Sequence, residues 1–170
     1  RSAQGNYYFM EINARLQVEH PVSEFLTGRD IVRHQLEIAS GQKLDFDQQD
    51  VKLNGHSIEA RVYAEDPDTF VPSPGLLSEV SLPPDGPHLR IDHALASGGS
   101  VPPYYDPLLA KVITWDNDRK AAIDQLISAL QEFKVEGVQT TIPANLKILH
   151  HPKFISGEFD TGFMAALLES

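Results

Sequence analysis

The sequence predicts an α+β fold, with strands arranged first and helices following them. Three observations carry this. Ser57 to Tyr63 alternates, with Ile58, Ala60 and Val62 set between Glu59, Arg61 and Tyr63. Leu108 to Trp115 is an apolar run of strand length. Behind it, Asp118 can cap a helix reaching about Phe133, with Ala122, Leu126, Ala129 and Phe133 on one stripe. No internal repeat or low-complexity tract interrupts this order.

From the amino end, Tyr7 to Asn13 reads as a strand, supported by Tyr7, Tyr8, Phe9 and Ile12. Asp30 is an N-cap for a helix over Ile31 to Ser40, and Gly41 is placed to end it. Ile31, Val32, Leu36, Ile38 and Ala39 give that helix a broad apolar face. Gln42 to Asn54 is polar, acidic and loop-like. The best domain division falls there, separating residues 1–50 from 51–170. The Ser57 to Tyr63 strand should bury its aliphatic residues and present Arg61, flanked by Glu59 and Tyr63, on the other face. Turns follow at Pro72-Ser73-Pro74-Gly75 and Pro83-Pro84-Asp85-Gly86-Pro87. Leu76 to Leu82 and His88 to His93 read as short strands between and after them. Further short helices begin near Thr141-Ile142-Pro143 and near Thr161.

The segment Glu11-Ile12-Asn13-Ala14-Arg15-Leu16-Gln17-Val18-Glu19-His20-Pro21 is the most informative in the chain. Its odd positions from 11 to 19 carry two carboxylates, two amides and an arginine, and the residues between them are apolar. An ordinary surface strand accounts for the alternation but not for that choice of polar groups. A carboxylate and an amide oxygen suit a hard cation. The fork of Arg15 matches the oxygens of carboxylate, bicarbonate or phosphate. Glu19 can accept a proton. Fully extended, the chain would hold Glu11 and Glu19 roughly 26 Å apart. The expected arrangement is therefore a strand ending near Asn13, followed by a shaped loop lining a long groove.

Composition excludes several classes. No apolar run approaches the roughly 20 residues of a membrane span, and no signal-peptide pattern is present. With no cysteine there is no disulfide or thiolate metal site. A formal charge of -10 opposes a general nucleic-acid surface and is accounted for by solubility. A soluble, cytoplasmic enzyme piece fits these features.

Tyr8 through Glu24 resembles the signature segment of biotin carboxylases, members of the ATP-grasp superfamily. The resemblance continues through Glu59-Ala60-Arg61-Val62-Tyr63-Ala64-Glu65-Asp66-Pro67, Pro72-Ser73-Pro74-Gly75 and Val101-Pro102-Pro103-Tyr104-Tyr105-Asp106. It implies the end of an ATP-grasp domain followed by the biotin carboxylase carboxyl-terminal domain, a mainly antiparallel sheet with packed helices. It also implies a larger polypeptide. The chain opens on Arg1 and has no glycine-rich phosphate loop, so it is expected to be a carboxyl-terminal third, inactive alone.

The implied reaction is ATP-dependent carboxylation of carrier-linked biotin by bicarbonate, through carboxyphosphate, with magnesium or manganese. The resemblance makes Glu11 a metal ligand near ATP, alongside a second acidic ligand lying upstream, and Asn13 an assistant at a metal. Arg15 becomes an active-site cation near bicarbonate and phosphate, and Glu19 the base that deprotonates bicarbonate. Gln17 and the Val18 backbone help hold bicarbonate. Arg61 contacts bicarbonate and stabilises the enolate-like oxygen of biotin. Implied partners are a biotin carboxyl carrier, a carboxyltransferase domain or subunit, the amino-terminal part of the same polypeptide and a second copy. No nucleic acid or membrane is implied. The implied setting is cytoplasmic, with fatty acid biosynthesis among the implied processes and a mitochondrial parent as the alternative.

Each position also has a plainer reading. Arg15 and Glu19 can form a surface ion pair, and Arg61 can pair with Glu59 or Asp106. Asn13 and Gln17 can satisfy loop backbone. Tyr104-Tyr105-Asp106 lies where the family builds part of the biotin-side wall, and it fits packing equally well. Arg90 falls near a family dimer interface, although Pro87-His88 departs from the more apolar family pattern. Adjacent His150 and His151 diverge by about 100° on a helix and poorly suit one metal. Two other functions remain: a carbamoyl-phosphate synthetase half, which shares the Glu-x-Asn pattern, and a non-catalytic scaffold or dimerisation fragment.

Overall fold

The computed structural model describes residues 5–168, so Arg1 lies outside the described residues. Its centre is a three-stranded antiparallel sheet of β1 (His56–Tyr63), β4 (Leu89–His93) and β6 (Leu108–Asp116). The spatial order is β1-β6-β4. Ala60 faces Val112, Val62 faces Ala110 and Ile91 faces Val112, which places the aliphatic set of all three strands on one side.

Helix α3 (Arg119–Glu132) covers that side. Asp118 caps it by accepting from the Ala121 N–H. The predicted stripe of Ala122, Leu126, Ala129 and Phe133 is buried, and Ile123 and Leu130 widen it. Thr114, buried on the sheet, donates its hydroxyl to the Ala122 carbonyl at 2.9 Å. At the entrance to β1, Gly55 has φ +68°, and a Cβ there would run into the Asp116 carbonyl and the Trp115 ring.

The opposite face of the sheet is covered by α1 (His20–Thr27), whose Pro21 is fully buried. The sequence reading left this helix within the shaped loop. Its start has proline in the first turn and no side-chain cap, so the usual capping signal is missing. Helix α2 (Ile31–Ala39) begins as predicted, with Asp30 accepting from Arg33 N–H, and ends one residue earlier than predicted, with Ser40 as its C-cap. The 42–54 segment is a loop containing one 3-10 turn, Gln48–Asp50.

Two strand predictions need correction. Tyr7 to Asn13 forms no strand in the described residues. Tyr7, Tyr8, Phe9, Met10 and Ile12 are between 72% and 89% exposed. Propensity alone does not make a strand: a ladder requires a neighbour, and no described strand lies beside this segment. Leu76 to Leu82 is divided between two sheets. β2 (Gly75–Leu76) pairs with β5 (Ser100–Val101), and β3 (Glu79–Ser81) pairs with β7 (Lys134–Glu136). Leu77 between them turns into the core. The carboxyl end supplies α4 (Ile142–His150), α5 (Pro152–Ser156) and α6 (Phe163–Leu168), of which α5 was not anticipated.

Candidate active site

β1 is an edge strand, and α4 secures its exposed side where Arg61 sits. The Thr141 hydroxyl accepts from Tyr63 N–H at 3.0 Å, and Asn145 Nδ2 donates to the Arg61 carbonyl at 2.9 Å. The backbone of Arg61 is thus held from the helix side, and alternation turns its side chain to the face beneath α1. There Arg61 Nη2 donates to Glu19 Oε2 at 2.7 Å, across 42 positions of sequence. Arg61 Nε donates to Glu59 Oε1 at 3.3 Å. Partial burial opposes the charge on Arg61, but hydrogen bonds with Tyr63 and Glu59 hold its guanidinium above the ordinary arginine value.

Glu19 occupies the N-cap position of α1, where Val22 N–H bonds to its carbonyl at 3.1 Å. Its carboxylate makes no capping bond and instead reaches Arg61. The plainer reading, in which Arg15 and Glu19 pair with each other, does not hold among the described contacts, since Glu19 pairs with Arg61. Arg15 instead donates to the Leu16 carbonyl at 3.2 Å. Both partners of the Arg61–Glu19 pair are part-exposed, so its stability contribution is only about 0–1 kcal/mol. It brings together a carboxylate and a cation rather than holding the fold.

The predicted residues fall into three groups. Glu19 and Arg61 line a hollow of about 550 Å³, together with Glu59, Arg119 and Phe154. Arg15, Gln17 and Glu19 line a neighbouring hollow of about 240 Å³, so Glu19 belongs to both. The Gln17 backbone carbonyl accepts from the His20 ring Nδ1 at 2.8 Å and from the His20 N–H at 3.3 Å, which closes this turn. Glu11 and Asn13 lie on the exposed extended segment and line neither hollow. Their oxygens are suitable donors for a hard cation, but no cluster of three His, Cys, Asp or Glu able to hold a metal exists among the described residues. A complete coordination sphere needs further donors.

Residues 59–166 match the family model of the biotin carboxylase C-terminal domain. The chain belongs to the biotin carboxylase family. Residues 1–47 match the ATP-binding domain of the carbamoyl-phosphate synthase L chain. Biotin carboxylase 1 of Bacillus subtilis is 50% identical over 93% of this chain, which covers 35% of that protein. The mitochondrial methylcrotonoyl-CoA carboxylase subunit alpha of Dictyostelium discoideum is 43% identical over 99% of the chain, covering 24% of that protein. The biotin carboxylase domain of 2-oxoglutarate carboxylase from Hydrogenobacter thermophilus superposes with a TM-score of 0.94 at 41% identity. That comparison covers 99% of this chain and 38% of the other, which was solved as a dimer with MgADP and bicarbonate. The chain therefore spans between 24% and 38% of the length of these relatives.

Within the biotin carboxylase fold, sequence reasoning missed Lys111 and Glu24. Lys111 Nζ donates to the Val18 carbonyl at 3.2 Å and pairs with Asp92 at 2.8 Å. Arg90 pairs with Glu24 at 2.6 Å and with Asp92 at 2.7 Å. These contacts tie the Val18–Glu19 turn and α1 to the sheet. A signal for Lys111 was present: it is the one charged residue in the apolar Leu108 to Trp115 run. His150 and His151 serve local backbone, contacting the Leu146 carbonyl and capping α5 respectively. Tyr104 and Tyr105 are exposed.

Proposed function

We propose that this chain carries the base-and-cation part of a biotin carboxylase site. The observation that carries the proposal is the Glu19 carboxylate held 2.7 Å from the Arg61 guanidinium. Glu19 takes the proton of bicarbonate, whose oxygen attacks the terminal phosphorus of ATP, releasing ADP and forming carboxyphosphate. The carboxyl group then passes to a ureido nitrogen of carrier-linked biotin as the phosphate leaves, and the released phosphate takes the proton of that ureido N–H. Arg15 and Arg61 meet the negative charge that develops, Gln17 and the Val18 backbone orient bicarbonate, and Arg61 contacts the biotin oxygen. Glu11 and Asn13 would hold the divalent metal, whose charge neutralises the ATP phosphates when bound. The MgADP and bicarbonate bound by the Hydrogenobacter domain support this reading.

The proposed division is 1–50 as the end of the ATP-grasp domain and 51–170 as the carboxyl-terminal domain. The proposed setting is a larger cytoplasmic or mitochondrial carboxylase with a biotin carrier, a carboxyltransferase and a second copy as partners. No helix among the described residues is long and apolar enough to cross a membrane. The match of residues 1–47 by itself favours a carbamoyl-phosphate synthetase half. The match of 59–166, with Arg61 seated on Glu19, favours the carboxylase.

The test is bicarbonate-dependent ATP hydrolysis with free biotin as acceptor, using the chain with and without its upstream polypeptide. Activity is expected only with the upstream part, and it should be lost in Glu19→Gln and Arg61→Ala. A folded, intact polypeptide without activity would overturn the reading in favour of a scaffold or another ligase.

A further inference from the structure

Glu59 lies two positions before Arg61 on β1, so both side chains leave the same face of the sheet. Its side chain is 5% exposed, whereas those of Arg61 and Glu19 are 38% and 49% exposed. Oε1 accepts from Arg61, and Oε2 is buried without a hydrogen-bond partner among the described residues. A buried ion left half-satisfied is a poor device for stability. Burial pushes the Glu59 carboxyl above its ordinary value, against the opposing influence of Arg61 and Lys111 and with that of Glu19.

What this carboxylate supplies is geometry. Arg61 meets Glu59 through Nε and Glu19 through Nη2, and these two acceptors stand on separate elements. Two anchors set both the place and the tilt of a planar guanidinium, where one would leave it free to swing. Glu59, being buried and carried on the same strand, is the rigid anchor. Glu19, more exposed, can exchange its bond for a proton.

We propose that Glu59 is a positioning residue that fixes the plane of the Arg61 guanidinium for the anion it receives. The inference rests on the carboxylase reading, so the test has two readouts. In the full-length polypeptide, Glu59→Ala should raise the KM for bicarbonate about 10-fold, as expected for one charge-assisted hydrogen bond, with the KM for ATP unchanged. Glu59→Gln, close in shape and safer for folding, should raise it less. A merely structural role would lower kcat through lost active protein and leave both KM values alone; that result overturns the proposal. In the nitrogen-15-labelled 170-residue chain, the Arg61 Nε–H resonance should stand apart from the other arginines, merge with them in Glu59→Ala, which removes the acceptor, and move only part of the way in Glu59→Gln. A resonance that stays in place overturns positioning whatever the kinetics. A resonance that merges while the bicarbonate KM stays fixed upholds positioning and instead removes Arg61 from bicarbonate binding.

Discussion

The two faces of the central sheet are built from the same three strands yet do opposite work. Beneath α3 the contacts are Ala60, Val62, Ala110, Val112 and Ile91 against Ile123, Leu126 and Leu130, an apolar layer closed to water. Beneath α1 the same strands present Glu59, Arg61, Lys111, Arg90 and Asp92 to Glu19 and Glu24, with Ile113 among them. Apolar burial is non-directional and tolerates modest movement, so the α3 face holds the fold. Ion pairs contribute little net stability but depend on geometry, so the α1 face sets where the Glu19 carboxylate and the Arg61 guanidinium stand. The difference teaches that the catalytic candidates sit on the face that contributes less to holding the sheet together.

That division can be broken from either side. Leu126→Ala should destabilise the chain by about 2–5 kcal/mol in urea unfolding, the cost of a cavity in a closed core, while the Arg61 resonance stays in place. Arg61→Lys should act the other way, lowering carboxylase turnover about 10²–10³-fold with little change in urea midpoint, because Lys lacks the fork. Near-normal turnover in Arg61→Lys would remove that residue from the mechanism.

The charged face should also show its own pH dependence. Asp92 is partly buried, which works against its charge, yet Arg90 and Lys111 hold its carboxyl below the ordinary value of 3.8. Its contribution is therefore complete above that value and disappears as pH falls through the lower folded value. Asp92→Asn should cost about 1–3 kcal/mol at neutral pH, less than a fully buried pair because the side chain is 28% exposed, and should flatten the acid limb of stability. An unchanged acid limb would show that the network is idle. The smallest expected effect is Asp118→Ala, which removes the α3 cap for about 1 kcal/mol and should leave the α1 face untouched.

Local chemistry made much of the fold legible. The Asp30 and Asp118 caps, the alternation of Ser57 to Tyr63 and the stripe from Ala122 to Phe133 each report a neighbour-to-neighbour preference. The failures were long-range. Tyr7 to Asn13 has strand composition but joins none of the sheets among the described residues, and Leu76 to Leu82 reads as one strand although its halves pair with segments at residues 100–101 and 134–136. The α1 helix escaped notice because its start lacks a side-chain cap.

The candidate site divides along the same line. By itself the sequence determined which groups are present: the carboxylates, amides and arginine from Glu11 to Glu19, and Arg61 at the centre of an alternating strand. Only the tertiary structure decided which of them meet. Arg15 is four residues from Glu19, yet Arg61, 42 residues away, is the one that binds it. The buried Glu59 oxygen and the Lys111 bond to the Val18 carbonyl also exist only once α1 lies on the sheet. The physical reason is that side-chain identity is local, whereas the distance between two charges, and the water shared between them, belongs to the packed chain.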